Sequence, residues 1–176
     1  MSQAARNKSR EAGQTLLEAV VYITILVLLL VFLVNILLSV TRVIAEVRIS
    51  RSLGNSAVVA LERMTREIRA AETIDLTESI LDSHPGQLVL EAIDEDGNDI
   101  ITKFYLTNGI LQVETVNPPV SSLIAAELEM SNLIFRQIIS PSSEAVKIEF
   151  TLRNREGKII KSRNFYQTAV LRGSYE

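Results

Sequence analysis

Between Glu18 and Arg42 lie 23 residues without a single charge, AVVYITILVLLLVFLVNILLSVT, residues 19–41. No other feature of the chain restricts its fold so tightly. About 20 apolar residues cross a bilayer core of about 30 Å, and at about 1.5 Å per residue this run reaches about 34 Å. Secretory signals that are cut away have shorter apolar cores, about 7–15 residues, followed by a small-x-small site. The run is longer, and "NILLSVTRVIAEV" contains no such site. A membrane-spanning helix is therefore expected. No Pro or Gly interrupts residues 14–53, so one continuous helix is predicted there, with Gly54-Asn55 as its first weak point. Thr24 and Ser39 can bond back to their own helix carbonyls, whereas the Asn35 amide prefers a partner across a helix interface.

Charge around the run sets the expected orientation. Arg6, Lys8 and Arg10 precede it and favour a cytoplasmic N-terminus. Arg42, Arg48 and Arg51 follow it and argue the other way, but a short basic head is easier to retain inside than the whole remaining body. The body is accordingly expected outside the cytoplasm. Residues 42–72 hold six Arg against four acids, and residues 73–176 hold nine basic against fifteen acidic residues. The distal part thus has no extended basic face, and no nucleic-acid partner is expected. The chain has no cysteine, which excludes disulfides, thiolate metal sites and cysteine nucleophiles. Its one histidine, His84, precedes Pro85-Gly86 in a loop, with no second His to share a metal.

Beyond Arg42 apolar residues recur at Val47 and then, three or four apart, at Val58, Leu61, Met64, Ile68 and Ala71. This is the stripe of an amphipathic helix. On its polar face Glu62–Arg66 and Arg63–Glu67 are opposite charges at four-residue spacing, each pair worth about 0.2–0.5 kcal/mol, and the arginines read as a solvated face. Helix from about Thr15 to about Ala71 would run roughly 85 Å, a shaft rather than a core helix.

Residues 73–176 have another texture. "GQLVLEAI", "DIITKFYLT" and "ILQVETV" are short runs of branched and aromatic residues separated by "DEDGND" and "NG". Asp-Gly and Asn-Gly are strong hairpin signals, so residues 87–116 are predicted as a three-stranded antiparallel meander. Pro118-Pro119 ends it. "NLIFRQII" reads as a further strand. "AVKIEFTLRN" alternates, with Val146, Ile148, Phe150 and Leu152 on one face, and "REGK" turns it back to a last strand, "NFYQTAVLR". Residues 120–130 fit neither template. The shaft's stripe and the sheet's apolar face each need a cover, and each can supply the other. The predicted fold class is α+β: a long N-terminal helix packed on an antiparallel β-sheet domain.

Catalytic signals are absent from the motifs. There is no nucleophile elbow, phosphate-binding Gly loop or His-plus-carboxylate zinc motif, and the paired acids Glu127 and Glu129 have no context that would shift a pKa. No enzyme and no cofactor is expected. The acidic stretch from Asp94 to Asp99 places Asp99 where a calcium loop needs its Gly, and strands flank it. A plain hairpin turn is the expectation, a calcium loop the alternative.

A short basic leader, then Gly13-Gln14-Thr15-Leu16-Leu17-Glu18, then a long uncharged helix, resembles the class III signal of type IV pilins and pseudopilins. The resemblance is specific over residues 11–41 and compositional over 42–72. "REIRAAETI", "YLTNGILQ", the "LIF" strand and the terminal "YQTAVLRGS" resemble the larger minor members, the J type of type II secretion and the W-type minor pilins. The resemblance implies cleavage by a membrane prepilin peptidase after Gly13, N-methylation of Gln14, and an assembly role for Glu18, which matches the glutamate the family carries just inside the mature N-terminus. The first mature residue in the family is often Phe, Met or Leu; here it is Gln14. The implied organisation is a cleaved basic leader (1–13), a transmembrane and filament-core helix (14–41), an amphipathic shaft (42–72) and an extracytoplasmic antiparallel β domain (73–176).

A buried carboxylate is costly alone but favourable beside a cation in the same low-dielectric place. The free amine of a neighbour's Gln14 is such a cation, and cleavage creates it. Implied partners are the prepilin peptidase, other pilin or pseudopilin subunits, the inner-membrane assembly platform and the lipid bilayer. The alternative function is a single-pass, signal-anchored extracytoplasmic binding or sensor domain with its leader attached; a membrane-tethered enzyme has no motif behind it.

Overall fold

A computed structural model describes residues 3–93, 97–115, 120–141, 143–155 and 159–174, with the side chains of residues 1–15 and 174 outside that set. The layout is α+β: one long N-terminal helix whose C-terminal part packs on antiparallel sheets. Helix α1 is Gln3–Ala70. The chain forms two compact units, Met1–Val47 and Arg48–Glu176.

In the first unit α1 is apolar on every side, and the large apolar side chains from Leu16 to Val43 are exposed. Among the described residues this is one helix long and apolar enough to cross a membrane. Three of its polar side chains, those of Thr24, Asn35 and Thr41, fold back on it. Thr24 Oγ1 donates to Val20 O at 2.7 Å, Thr41 Oγ1 to Leu38 O at 2.9 Å, and Asn35 Nδ2 to Val31 O at 2.9 Å. The Asn35 amide gives one N–H to its own helix, because the i−4 carbonyl lies within reach of a side chain this short; its second N–H and its Oδ1 remain for a partner across a helix interface.

In the second unit residues 48–70 continue α1 through Gly54 and Asn55, which do not interrupt it. Helix-interior Gly costs about 0.5–1 kcal/mol, and the buried Leu53 and Ala57 on either side anchor the turn. The buried stripe is Leu53, Ala57, Ala60, Met64, Ile68 and Ala71. It overlaps the predicted stripe at Met64, Ile68 and Ala71 but lies rotated from it further up: Val58 is 61% exposed. At this level the helix face turned to the sheets is that of Ala57 and Ala60, and Val58 points away from it. Of the two expected ion pairs, Arg63 Nε approaches Glu67 Oε1 at 3.0 Å, without the alignment of a directed hydrogen bond. Glu62 and Arg66 do not pair; both line an open groove.

The predicted meander forms as β2 (Leu88–Ile93), β3 (Asp99–Thr107) and β4 (Ile110–Glu114), flanked by two short strands, β1 (Thr73–Ile74) and β5 (Ser121–Ser122), in the order β1-β2-β3-β4-β5. Asn108 and Gly109, at φ 52° and 75°, make the β3–β4 turn, the positive-φ pair that an Asn-Gly hairpin requires. Residues 94–96 of the acidic turn lie outside the described residues; around them Ile93 pairs with Asp99 in an antiparallel hairpin.

A second sheet, in the order β6-β7-β8, comprises β6 (Leu128–Ser140), β7 (Ser143–Asn154) and β8 (Ser162–Val170). Strand β6 starts four residues before the predicted "NLIFRQII" and takes in the end of the stretch that fitted no template. The reason is a bulge between Ser131 and Ile134, with Asn132 at φ 54°. One extra residue reverses the pleat's phase, so Leu128 and Met130 before it and Leu133 and Phe135 after it all face the core. Alternation read from the sequence fails at such a point. In β7, Val146, Ile148, Phe150 and Leu152 are all buried as predicted, and Phe150 stacks on Phe165 of β8 with centroids 5.5 Å apart. One hydrophobic core joins the α1 stripe to both sheets.

Candidate functional site

Gly13 and Gln14 lie on the α1 backbone, and their side chains are outside the described set. Glu18 stands one helical turn further on, exposed on the apolar helix. Its Oε1 accepts a hydrogen bond from the Tyr22 hydroxyl at 2.8 Å. Residues four apart share a helix face, so this spacing was available in the sequence as a signal for Tyr22. A carboxylate has several acceptor positions; one Tyr hydroxyl steadies the group and leaves room for a cationic donor.

A second feature lies within the second unit, between α1 and β8. Val58, Leu61, Glu62, Thr65, Arg66 and Arg69 of α1 and Gln167 of β8 line an open groove of about 620 Å³. It is continued by a hollow of about 380 Å³ bounded by Arg69, Thr168, Val170 and Arg172. Arg66, Arg69 and Arg172 make no ion pair among the described residues. The helix arginines were legible only as a solvated face, because β8 lies about a hundred residues away in the chain.

Two carboxylates elsewhere are held below the usual carboxylate range. Asp75 Oδ1 accepts the Thr77 hydroxyl at 2.6 Å, the largest cause, with the Thr77 N–H at 2.7 Å and the Glu78 N–H at 3.3 Å. Glu149 is lowered chiefly by Lys147, whose Nζ lies 2.7 Å away, and then by Arg136 at 3.4 Å. Both carboxylates are half-buried at the surface. Glu129, one of the paired acids, is held by Arg153 at 2.9–3.2 Å. Among the described residues no three His, Cys, Asp or Glu side chains gather to hold a metal.

No family model, no curated protein and no solved structure matches the chain.

Proposed function

We propose that the chain is a minor pilin or pseudopilin, a structural and assembly subunit of a type IV pilus-like or type II secretion filament. The observation that carries this reading is Gly13-Gln14-Thr15-Leu16-Leu17-Glu18 set directly before 23 uncharged residues. Two structural features support it. The helix exposes apolar side chains all round in its first unit, a surface that needs lipid or other apolar helices. Its continuation, residues 48–70, carries a domain of antiparallel sheets. A single-pass anchor is compatible with both.

In this reading the subunit waits in the cytoplasmic membrane, N-terminus inside and body outside. Prepilin peptidase cuts after Gly13 and the new Gln14 amine is methylated. Glu18 then pairs with the Gln14 amine of a neighbouring subunit as the helix leaves lipid for the filament. The uncut precursor has no amine at that place, so the pair selects processed neighbours.

The test is the intact mass of full-length protein extracted from membranes of a host that carries prepilin peptidase. Loss of residues 1–13 with one added methyl group is expected. Retention of residues 1–13 would sink the reading.

A further inference from the structure

We propose that the groove between α1 and the free edge of β8 takes an extended, acidic segment of a partner protein as a fourth strand of the second sheet. The proposal rests on residues 58–69 and 162–172 and is independent of how the N-terminal segment is read.

The sheet edges differ in how they are closed. The outer edge of β6 is occupied: Asp82 N–H donates to Phe135 O and Gly86 N–H to Leu133 O, each at 2.9 Å, while Met130 N–H donates to Gly109 O at 2.7 Å. The first sheet ends in β1 and β5, each two residues long. Strand β8 is different. It is nine residues long and contains no Pro, and among the described residues it pairs with β7 on one side only. A long edge strand presents a row of unpaired backbone donors and acceptors, and proteins ordinarily blunt such edges with short strands, Pro, bulges or Lys. Here the only charged side chain along β8 is Arg163, which stacks on Phe165 of the same strand with its guanidinium 5.4 Å from the ring centroid.

The groove lies beside this open edge, with α1 forming its other wall. Its lining combines two chemistries. Val58 and Leu61 give an apolar stretch at one end; Arg69 is shared with the adjoining hollow, where Arg172 closes the other. Counting Glu62, three guanidiniums face one carboxylate. Strand addition supplies affinity through main-chain hydrogen bonds, and alternate side chains supply specificity through what they meet. Of the side chains of an added strand, those on the face turned toward α1 would be apolar at the end by Val58 and Leu61 and carboxylates at the end by Arg66, Arg69 and Arg172. Charge complementarity therefore selects an acidic occupant.

The probe is a synthetic Val/Glu peptide as long as the nine residues of β8, with Thr at the alternate positions turned away from α1 and, at those turned toward it, Val in one half and Glu in the other; the control is a Val/Lys peptide of equal length with Lys in place of Glu. Both are titrated onto the full chain in detergent micelles, read by fluorescence anisotropy of labelled peptide and by backbone amide exchange across residues 162–170. The Val/Glu peptide is expected to bind and to slow exchange in β8, and the Val/Lys peptide to do neither. The double variant Arg66→Glu/Arg69→Glu, with its fold checked by circular dichroism, should weaken binding by about tenfold or more. Binding to the unaltered chain should also weaken as ionic strength rises, so the charge argument does not depend on the variant folding. The proposal is overturned if the Val/Glu peptide leaves β8 exchange unchanged, if both peptides bind alike, or if charge reversal has no effect. It is equally overturned if β8 becomes protected simply on raising the protein concentration, since the occupant would then be a second copy of this chain.

Discussion

Met64→Ala tests which face of α1 the sheets cover. Met64 is fully buried in the joint core, whereas Val58, on the same helix, is 61% exposed. Truncation at Met64 removes three methylene-sized groups from a packed site. At about 0.8 kcal/mol each, the transfer loss is roughly 2.4 kcal/mol. Incomplete collapse around the gap brings the total to about 3 kcal/mol, inside the usual 2–5 kcal/mol for such changes. A domain stable by about 5–15 kcal/mol survives that loss. The readout is native-state amide exchange at Val146, Ile148 and Phe150 in β7, the central strand of its sheet, on full-length protein in micelles. About 3 kcal/mol corresponds to exchange faster by about a hundredfold. Val58→Ala should leave the same amides within about 0.5 kcal/mol of the parent. Equal effects at the two positions, or a Met64→Ala cost below about 1 kcal/mol, would refute the assignment of the buried stripe.

The same exchange assay should give opposite signs for two glycines. Gly109→Ala is expected to destabilise by about 2 kcal/mol, because φ is +75° and a Cβ would lie 2.6 Å from Glu129 Cγ; Gly54→Ala, with open space around it in the helix, should stabilise by about 0.5–1 kcal/mol. Because Asp75 titrates below its ordinary 3.8, its contribution to stability is fully present above that pH and is lost as pH falls through the lowered value; Thr77→Val should move the Asp75 carboxyl back toward the ordinary value in an NMR titration, and an unmoved titration would refute the Thr77 assignment. For the filament reading, Glu18→Ala should leave cleavage after Gly13 intact while lowering incorporation by at least about tenfold, since a broken buried pair costs about 3–5 kcal/mol. Tyr22→Phe should lower incorporation less than that and have no further effect in the Glu18→Ala background, and additive losses would show that the Tyr22 hydroxyl acts on something other than Glu18.

Local signals carried much of the fold. Val146, Ile148, Phe150 and Leu152 announce their buried face because β7 is regular over that stretch, and Asn108-Gly109 announces its turn because few residue pairs tolerate two positive φ angles. Where the sequence misled, a local rule met a tertiary choice. Val58 fits the stripe by its apolar side chain, yet the buried face there belongs to Ala57 and Ala60, small residues that a search for large apolar side chains passes over. The bulge at Asn132 hides β6 from a period-two search by changing its phase midway. The groove was invisible for a different reason: its walls come from residues 58–69 and 167–172, brought together only by the sheet order. Glu18 is legible from its neighbours in the chain, and Tyr22 only from the four-residue spacing that puts it on the same helix face.

One helix carries two different solutions to burying apolar surface. Over residues 48–70 its apolar face is a stripe, and a stripe can be covered by one partner, here the sheets of the same chain. Over Leu16 to Val43 it is apolar all round, and a surface of that kind needs cover from every side, which lipid or a bundle of like helices provides. Dispersion contacts with either are similar in kind, so apolar packing alone gives the helix little reason to prefer one to the other. Polar side chains could supply a preference, but Thr24 and Thr41 already spend their hydroxyl donors, and Asn35 one of its two N–H donors, on carbonyls of the same helix. Glu18 is the exception: as a carboxylate it brings a full charge, and a single Tyr22 hydroxyl does not neutralise it. A group of that kind is disfavoured in lipid and favoured beside a cation in a dry interface. In the filament reading proposed above, Glu18 at the N-terminal edge of the run gains a cation on leaving lipid, and that gain gives the transfer from membrane to bundle its direction.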